Sequence, residues 1–228
     1  MMAVQSKPYK GMAMEGLIAT WYAKNTRHDA RGYRRCAESV AARVRPGGRV
    51  LEVAPGPGYL AIELAKLGDF EITGLDISRS FVRIARENAA RAGVQIDFRH
   101  GNASAMPFPS NSFDFVVCRA AFKNFADPIG ALNEIHRVLV PGGQASVYDL
   151  RKDASRAEID AEIDAMDLSW LDNLLTKATF RVLLLKSAYT RQDFERMAAQ
   201  SRFGTCEVLV DGIGYDVRLT KQTEIGLS

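Results

Sequence analysis

The run Arg49-Val-Leu-Glu-Val-Ala-Pro-Gly-Pro-Gly-Tyr-Leu-Ala-Ile-Glu-Leu-Ala65 constrains the fold more than any other stretch of this chain. Val50, Leu51 and Val53 are a β-branched and leucine run that reads as a buried strand. Ala54, Pro55, Gly56, Pro57 and Gly58 turn the chain. Leu60, Ile62, Leu64 and Leu67 then continue as an apolar helix that ends at Gly68. Strand, glycine-rich turn and helix form the nucleotide cradle of an open parallel α/β sheet. Glycines without a Cβ let a ligand approach the backbone, and the amide end of the helix faces that ligand.

Gly56, Gly58 and Ala61 also satisfy the G-x-G-x-x-G/A pattern of dinucleotide sites. Glu52 lies on the strand before the turn, and Asp76 ends the next strand, Ile72-Thr-Gly-Leu-Asp76. An acid at that distance suits a ribose diol. An adenosine-type ligand follows, and its reaction does not. A carboxylate at the tip of a buried strand otherwise lacks a reason, so Asp76 has the firmest functional claim.

Length and charge exclude several classes. The chain has 228 residues, 47% hydrophobic and 25% charged, which suits one soluble domain with a good core. A net charge of +3 is too small to argue for nucleic acid. The longest apolar run, Val182–Leu185, is far too short to span a bilayer, so no membrane partner is expected. Cys36, Cys118 and Cys206 are odd in number and widely spaced, which indicates neither a disulfide framework nor a zinc site; no metal is expected. Free thiols and the lack of an N-terminal signal stretch suit the cytoplasm.

The remaining elements alternate. Helices are expected over 14–25 and 30–44. Ser78 is an N-cap for a helix ended by Gly93. Strands follow at 95–98 and 112–118, and Pro128 opens a helix through Leu139. Val140-Pro-Gly-Gly143 reads as a turn before a fifth strand, 144–150. Thr190 with Asp193 marks another helix start, and strands at 204–210 and 213–219 flank Asp211-Gly212 as a hairpin. The expected fold is α/β: a doubly wound, mostly parallel, seven-stranded Rossmann-like sheet with helices on both faces and a C-terminal antiparallel hairpin. One domain, 1–228, is expected. It comprises an N-terminal helical flap (14–45), a cofactor-binding core (46–151), a helical lid insert (152–189), and a final helix and hairpin (190–228).

These motifs together resemble the class I S-adenosylmethionine-dependent methyltransferases, in their small-molecule branch. Val50 through Gly58 looks like the family's first motif and Gly74-Leu-Asp-Ile-Ser78 like its second. Gly101-Asn-Ala with Met-Pro-Phe-Pro is similar to its adenine loop. Glu134-Ile-His-Arg-Val-Leu-Val-Pro-Gly-Gly143 resembles the helix and turn before strand five. The resemblance implies S-adenosylmethionine as cofactor, S-adenosylhomocysteine as product and a small-molecule acceptor with O, N or C as the methylated atom. It implies that Glu52, Ala54, Pro55, Gly56 and Gly58 line the methionine part and ribose. Asp76 would accept the ribose hydroxyls and Ile77 would pack on adenine. Asn102 and Ala103 would meet the adenine edge, Arg119 the amino-acid end, and Tyr22 the methionine carboxylate. Ala54 replaces the usual Gly and Asn102 the usual Asp. Ala120-Ala-Phe-Lys-Asn124 replaces the aromatic-His-His pattern common after strand four. A non-catalytic cofactor-binding regulatory module and an NAD-dependent oxidoreductase remain as alternatives.

Methyl transfer is an in-line displacement, in which a base matters only if the nucleophile must lose a proton. Asp149, at the carboxyl end of strand five, is the first candidate; capping the next helix is its competing role. Lys123 and His28 are the other candidates, against solvated-loop readings. Between Met166 and Tyr189 an apolar run with Trp170 and Phe180 interrupts the alternation. It is expected to close over the acceptor, with a homodimer surface as the alternative.

Overall fold

Alternate residues of the central strands pack into two separate cores. In β1 (Arg49–Val53), Leu51 and Val53 join one apolar cluster while Val50 joins the other. In β4 (Phe113–Arg119), Val116 and Cys118 face the first cluster while Phe115 and Val117 face the second. This period-2 division buries both faces of the sheet under helices.

The computed structural model describes residues 9–10, 14–164 and 187–223. Most of the expected lid, residues 165–186 with Trp170 and Phe180, lies outside the described residues. The seven strands are ordered β3-β2-β1-β4-β5-β7-β6, with β2 (Glu71–Asp76), β3 (Asp97–His100), β5 (Leu139–Leu150), β6 (Glu207–Asp211) and β7 (Gly214–Thr220). β3-β2-β1-β4-β5 are parallel, and β7 enters antiparallel against both β5 and β6. The expected sheet and its closing hairpin are present. Chain order reverses between β1 and β4, so the crevice over their carboxyl ends is the topological switch point where such sheets bind ligands.

The helices among the described residues are α1 (Gly16–Thr26), α2 (Ala30–Ala41), α3 (Tyr59–Ala65), α4 (Arg79–Ala92), α5 (Pro128–Val138), α6 (Arg156–Asp164) and α7 (Arg191–Gln200). Ser78 caps α4, whose end is Gly93 at φ 69°. Asp127 caps α5 with Pro128 in its first turn, and Thr190 with Asp193 forms a capping box on α7.

Two expectations are corrected. The third strand runs from Asp97, two residues later than its apolar residues suggested, because parallel register brings His100 level with Asp76. The expected turn at Val140–Gly143 lies inside β5. Register against β4 jumps between Phe113 and Phe115, and Gly142, at φ 78°, donates its amide to Lys221 O at 2.8 Å. Pro-Gly-Gly is a bulge here, its free backbone groups taken by the chain beyond β7.

Candidate active site

The cradle forms where β1 hands over to α3. Ala54 follows β1 at φ 56° and donates its amide to Leu75 O at 2.8 Å. Gly56 is also left-handed, at φ 54°, and a Cβ there would meet nothing within 4 Å, so the loop is open beside it. Gly58 serves a different purpose: a Cβ would come within 2.8 Å of Phe98 Cζ and 3.0 Å of Ala85 Cβ. Packing on α4 and β3, not ligand approach, requires the glycine at 58.

Asp76 is buried at the end of β2. Its Oδ2 accepts from Gly56 N at 2.9 Å and its Oδ1 from Ser78 N at 2.8 Å. One carboxylate thus pins the glycine turn and starts α4. Burial pushes Asp76 up to about 6, while the amides of Ser78 and Gly56 pull it down. Each carboxylate oxygen has two lone pairs, so acceptor capacity remains for a diol.

Glu52 lies behind the turn, buried, with the Ala61 backbone as hydrogen-bond partner. Burial pushes its carboxyl up to about 8. Its Oε2 has no hydrogen-bond partner among the described residues. A buried acceptor left without a donor costs on the order of 1–3 kcal/mol, so this atom calls for a donor or a cation from outside the chain. The ammonium of a methionine-type ligand would satisfy it. The donor set of the cradle therefore fits the cofactor that the sequence implies.

Adenine-side residues take defined positions. Ile77 is half-buried, with its carbonyl 3.1 Å from His100 Nε2. Asn102 Oδ1 accepts from Ser104 N at 3.0 Å, which fixes the loop and leaves the amide NH₂ free to turn to a ligand. Ala103 is half-buried beside the first core.

The flap is fastened from both ends. Glu15 accepts from the Arg79 and Ser80 amides, each at 3.0 Å, so α1 supplies a carboxylate to the amino end of α4. Tyr22 on α1 packs edge-on against Phe81 at 5.7 Å. Burial raises its phenol pKa. Arg119 ends β4, pairs with Asp29 Oδ2 at 2.5 Å and lies 4.5 Å over the Tyr33 ring. Asp29 also caps α2 through Gly32 N at 3.2 Å. Sequence reading had placed Asp29 only in the flap and missed Glu15 and Tyr33 as parts of the site. The one visible signal was Asp29 as a helix cap.

The base candidates separate. Asp149 is buried near the end of β5. Its Oδ1 receives Lys123 Nζ at 2.8 Å and Leu150 N at 2.8 Å, and its Oδ2 receives Lys123 N at 2.9 Å. Lys123 Nζ donates also to Ala120 O at 2.9 Å. Lys123 and Asp149 are brought together, but as an ion pair occupied with each other. The pair caps the short 3-10 turn Phe122–Asn124 and holds Ala120 at φ 58°. His28 is exposed in the α1–α2 loop. Beside this pair, the rings of Phe122, Tyr189 and Phe194 pack edge-on or tilted with centroids 5.5–6.3 Å apart, and Lys10 Nζ donates to Tyr189 Oη at 2.9 Å. Arg151 and Tyr189 form an isolated bridge that returns the chain to the end of β5.

Comparisons with known proteins agree with this geometry. A family model described as a Methyltransferase domain matches residues 51–147. The chain is 40% identical over 126 residues to a demethylmenaquinone methyltransferase of Deinococcus radiodurans, covering 55% of this chain and 52% of that protein. It is 38% identical over 118 residues to the enzyme of the same name from Thermus thermophilus, covering 51% and 53%. The chain thus spans about half the length of the curated relatives it matches. Among solved structures, an S-adenosylmethionine-dependent methyltransferase described as putative, from Methanococcus maripaludis, superposes with a TM-score of 0.73 at 22% identity. It covers 97% of this chain and 100% of the other. Residues 51–147 thus match a methyltransferase domain, and the chain shares its fold with a solved structure described as S-adenosylmethionine-dependent.

Proposed function

We propose that this chain is an enzyme that moves a methyl group from S-adenosylmethionine to a small, largely apolar acceptor. The observation that carries the reading is Glu52 Oε2, a buried carboxyl oxygen with no donor among the described residues, on the strand that leads into a glycine turn pinned by Asp76. The cofactor would lie over the ends of β1 and β2: Glu52 at its ammonium, Asp76 at its ribose, Ile77, Asn102 and Ala103 around its adenine. Tyr22 and Arg119 would close on the amino-acid end. Neither alternative, a regulatory module or an NAD-dependent oxidoreductase, draws support from the matched family or the solved structures.

The bound cofactor supplies a sulfonium-activated methyl group, so the protein supplies position and dryness. Tyr22 covers the crevice, and the clamps at Glu15 and Asp29 hold α1 and α2 over it. The acceptor would enter over β4 and β5, beside Phe122 and Tyr189. Asp149 is engaged by three donors, so it holds the loop after β4, and the acceptor brings its own nucleophilic electron pair. The names of the curated relatives make demethylmenaquinone the first acceptor to try. We place the enzyme in the cytoplasm, as one domain.

Calorimetry with S-adenosylmethionine and with NAD, followed by mass spectrometry of candidate acceptors, tests the reading. Binding of the first and release of S-adenosylhomocysteine with a methylated product are expected. Binding of NAD alone would overturn it, and tight S-adenosylmethionine binding without turnover on any acceptor would favour the regulatory module.

A further inference from the structure

α1 is apolar on both of its faces. Its inner face is small: Ala19 and Ala23 are buried with Phe81 and Ile84 of α4, next to Tyr22. Its outer face is large: Leu17 is 88% exposed, Trp21 64% and Ile18 38%. Leu17, Trp21 and Lys24 follow one another at spacings of four and three, which is a single stripe along α1. Folding a soluble domain does not favour this arrangement, because Ala outside and Leu or Trp inside would bury more apolar area. A helix apolar all round is covered by something.

Charge decides what covers it. Residues 14–35 contain Lys24, Arg27, Arg31, Arg34 and Arg35 against Glu15 and Asp29, so this short segment alone carries +3, as much as the entire chain. Both acids are already engaged, Glu15 by the amides at the amino end of α4 and Asp29 by Arg119. Arg34 pairs with Glu38, and Arg35 lies 3.8 Å from Asp211. Lys24, Arg27 and Arg31 are exposed and have no ion-pair partner among the described residues. A second copy docking here would set like charge against like. The chain's own apolar segment 165–186 has three cations and two acids, and so offers no complement. An anionic lipid surface does: Leu17, Ile18 and Trp21 enter the headgroup boundary while the cations meet phosphates.

We infer that the outer face of α1 docks on the surface of an anionic phospholipid bilayer. No described helix is long and apolar enough to cross a membrane. Lying on one is a separate physical matter, and the sequence-based expectation of no membrane partner rested on span length alone. Docking would set the flap between lipid and cofactor, with Trp21 outward and Tyr22 inward on adjacent positions of one helix. An apolar acceptor could then leave the bilayer at the edge of the crevice. Docking is read by vesicle binding alone and stands or falls apart from turnover.

The test is co-sedimentation with phosphatidylcholine vesicles, with and without phosphatidylglycerol, at low and high salt. Binding to the anionic vesicles alone is expected, lost at high salt. Lys24→Glu and Arg27→Glu should each weaken it by at least about fivefold, the worth of one cation at such a surface. Trp21→Ser with Leu17→Ser should weaken it at least about tenfold, while the melting curve by circular dichroism stays close to wild type. In a Trp170→Phe background, Trp21 emission should shift to the blue only when anionic vesicles are added. Failure to sediment, or equal binding to neutral vesicles, overturns the inference. So does a dimer in light scattering that Trp21→Ser dissolves, which would show a second copy on this face. Trp21 emission already blue and shielded from acrylamide in free protein would show that the chain's own segment covers it, with the same consequence.

Discussion

The Lys123 ammonium lies 2.8 Å from Asp149 Oδ1, with the two side chains only 5% and 1% exposed. The same carboxylate accepts the Lys123 amide at 2.9 Å, and the same ammonium reaches Ala120 O at 2.9 Å. Two side chains from adjacent strand ends thus hold a non-glycine residue at positive φ on the rim of the crevice. Such a residue costs on the order of 1–3 kcal/mol and persists only where its surroundings fix it.

Removing one partner leaves a buried, unpaired charge. Lys123→Met should destabilise the protein by about 3–5 kcal/mol in urea unfolding. Adding Asp149→Asn should recover most of that loss, since the amide oxygen still accepts a backbone N–H and no charge is buried. Equal destabilisation of the single and double variants would show that the pair contributes little. If Asp149→Asn alone abolished turnover without loss of stability, a base would be restored to Asp149.

Glu52 gives a pH dependence with a definite sign. Its folded carboxyl is raised from 4.5 to about 8. Between those values the folded state holds a proton that the unfolded state has lost, so stability falls as pH rises through the window. The cost, roughly 3–5 kcal/mol by the size of the shift, is absent below the unfolded value and full above about pH 8. Asp76 adds the same sign between 3.8 and about 6. The melting temperature of the free protein should therefore drop from pH 6 to pH 8.5, and Glu52→Gln should flatten that drop. An unchanged slope would mean that Glu52 is not protonated in the folded protein.

A cation placed beside Glu52 reverses that preference. Binding of S-adenosylmethionine near pH 7 should release about one proton, seen as a calorimetric enthalpy that varies with the ionisation enthalpy of the buffer. Glu52→Gln should remove the variation. A buffer-independent enthalpy in the wild type would place the ammonium elsewhere.

Asp29 combines two roles that one substitution can separate. Asn at 29 keeps the cap on Gly32 N but loses the charge beside Arg119. Partly exposed, that pair is worth under about 1 kcal/mol of stability. Asp29→Asn should leave the melting curve almost unchanged and weaken S-adenosylmethionine binding about threefold to tenfold as the flap loosens, a change of that same order. Unchanged affinity would show that α2 does not close over the cofactor.

Asp76→Asn should cost about 1.5–3 kcal/mol of cofactor binding, the range for hydrogen bonds to a charged group. The loss has two sources, the ribose and the Gly56 amide that Asp76 pins at 2.9 Å. Gly56→Ala separates them, because it strains the turn at φ 54° while leaving the carboxylate in place.

What the sequence determined on its own was local or periodic. The cradle from Val50 to Gly58, the acid at 76, and the helix starts at Ser78, Pro128 and Thr190 all stand where spacing and residue type put them. Each depends on neighbours within a few residues. Tertiary structure decided the rest. Asp149 meets a lysine 26 residues away, Glu15 an amide 64 away, and Asp29 an arginine 90 away. A side chain's partner across such distances is set by strand order, which no local pattern carries. Sequence therefore showed Asp149 as a carboxylate at a strand end, and only the folded sheet supplied the lysine that occupies it. For the same reason Pro141–Gly143 became a bulge: the strand beyond it, β7, brings Lys221 to the free backbone groups that would otherwise mark a turn.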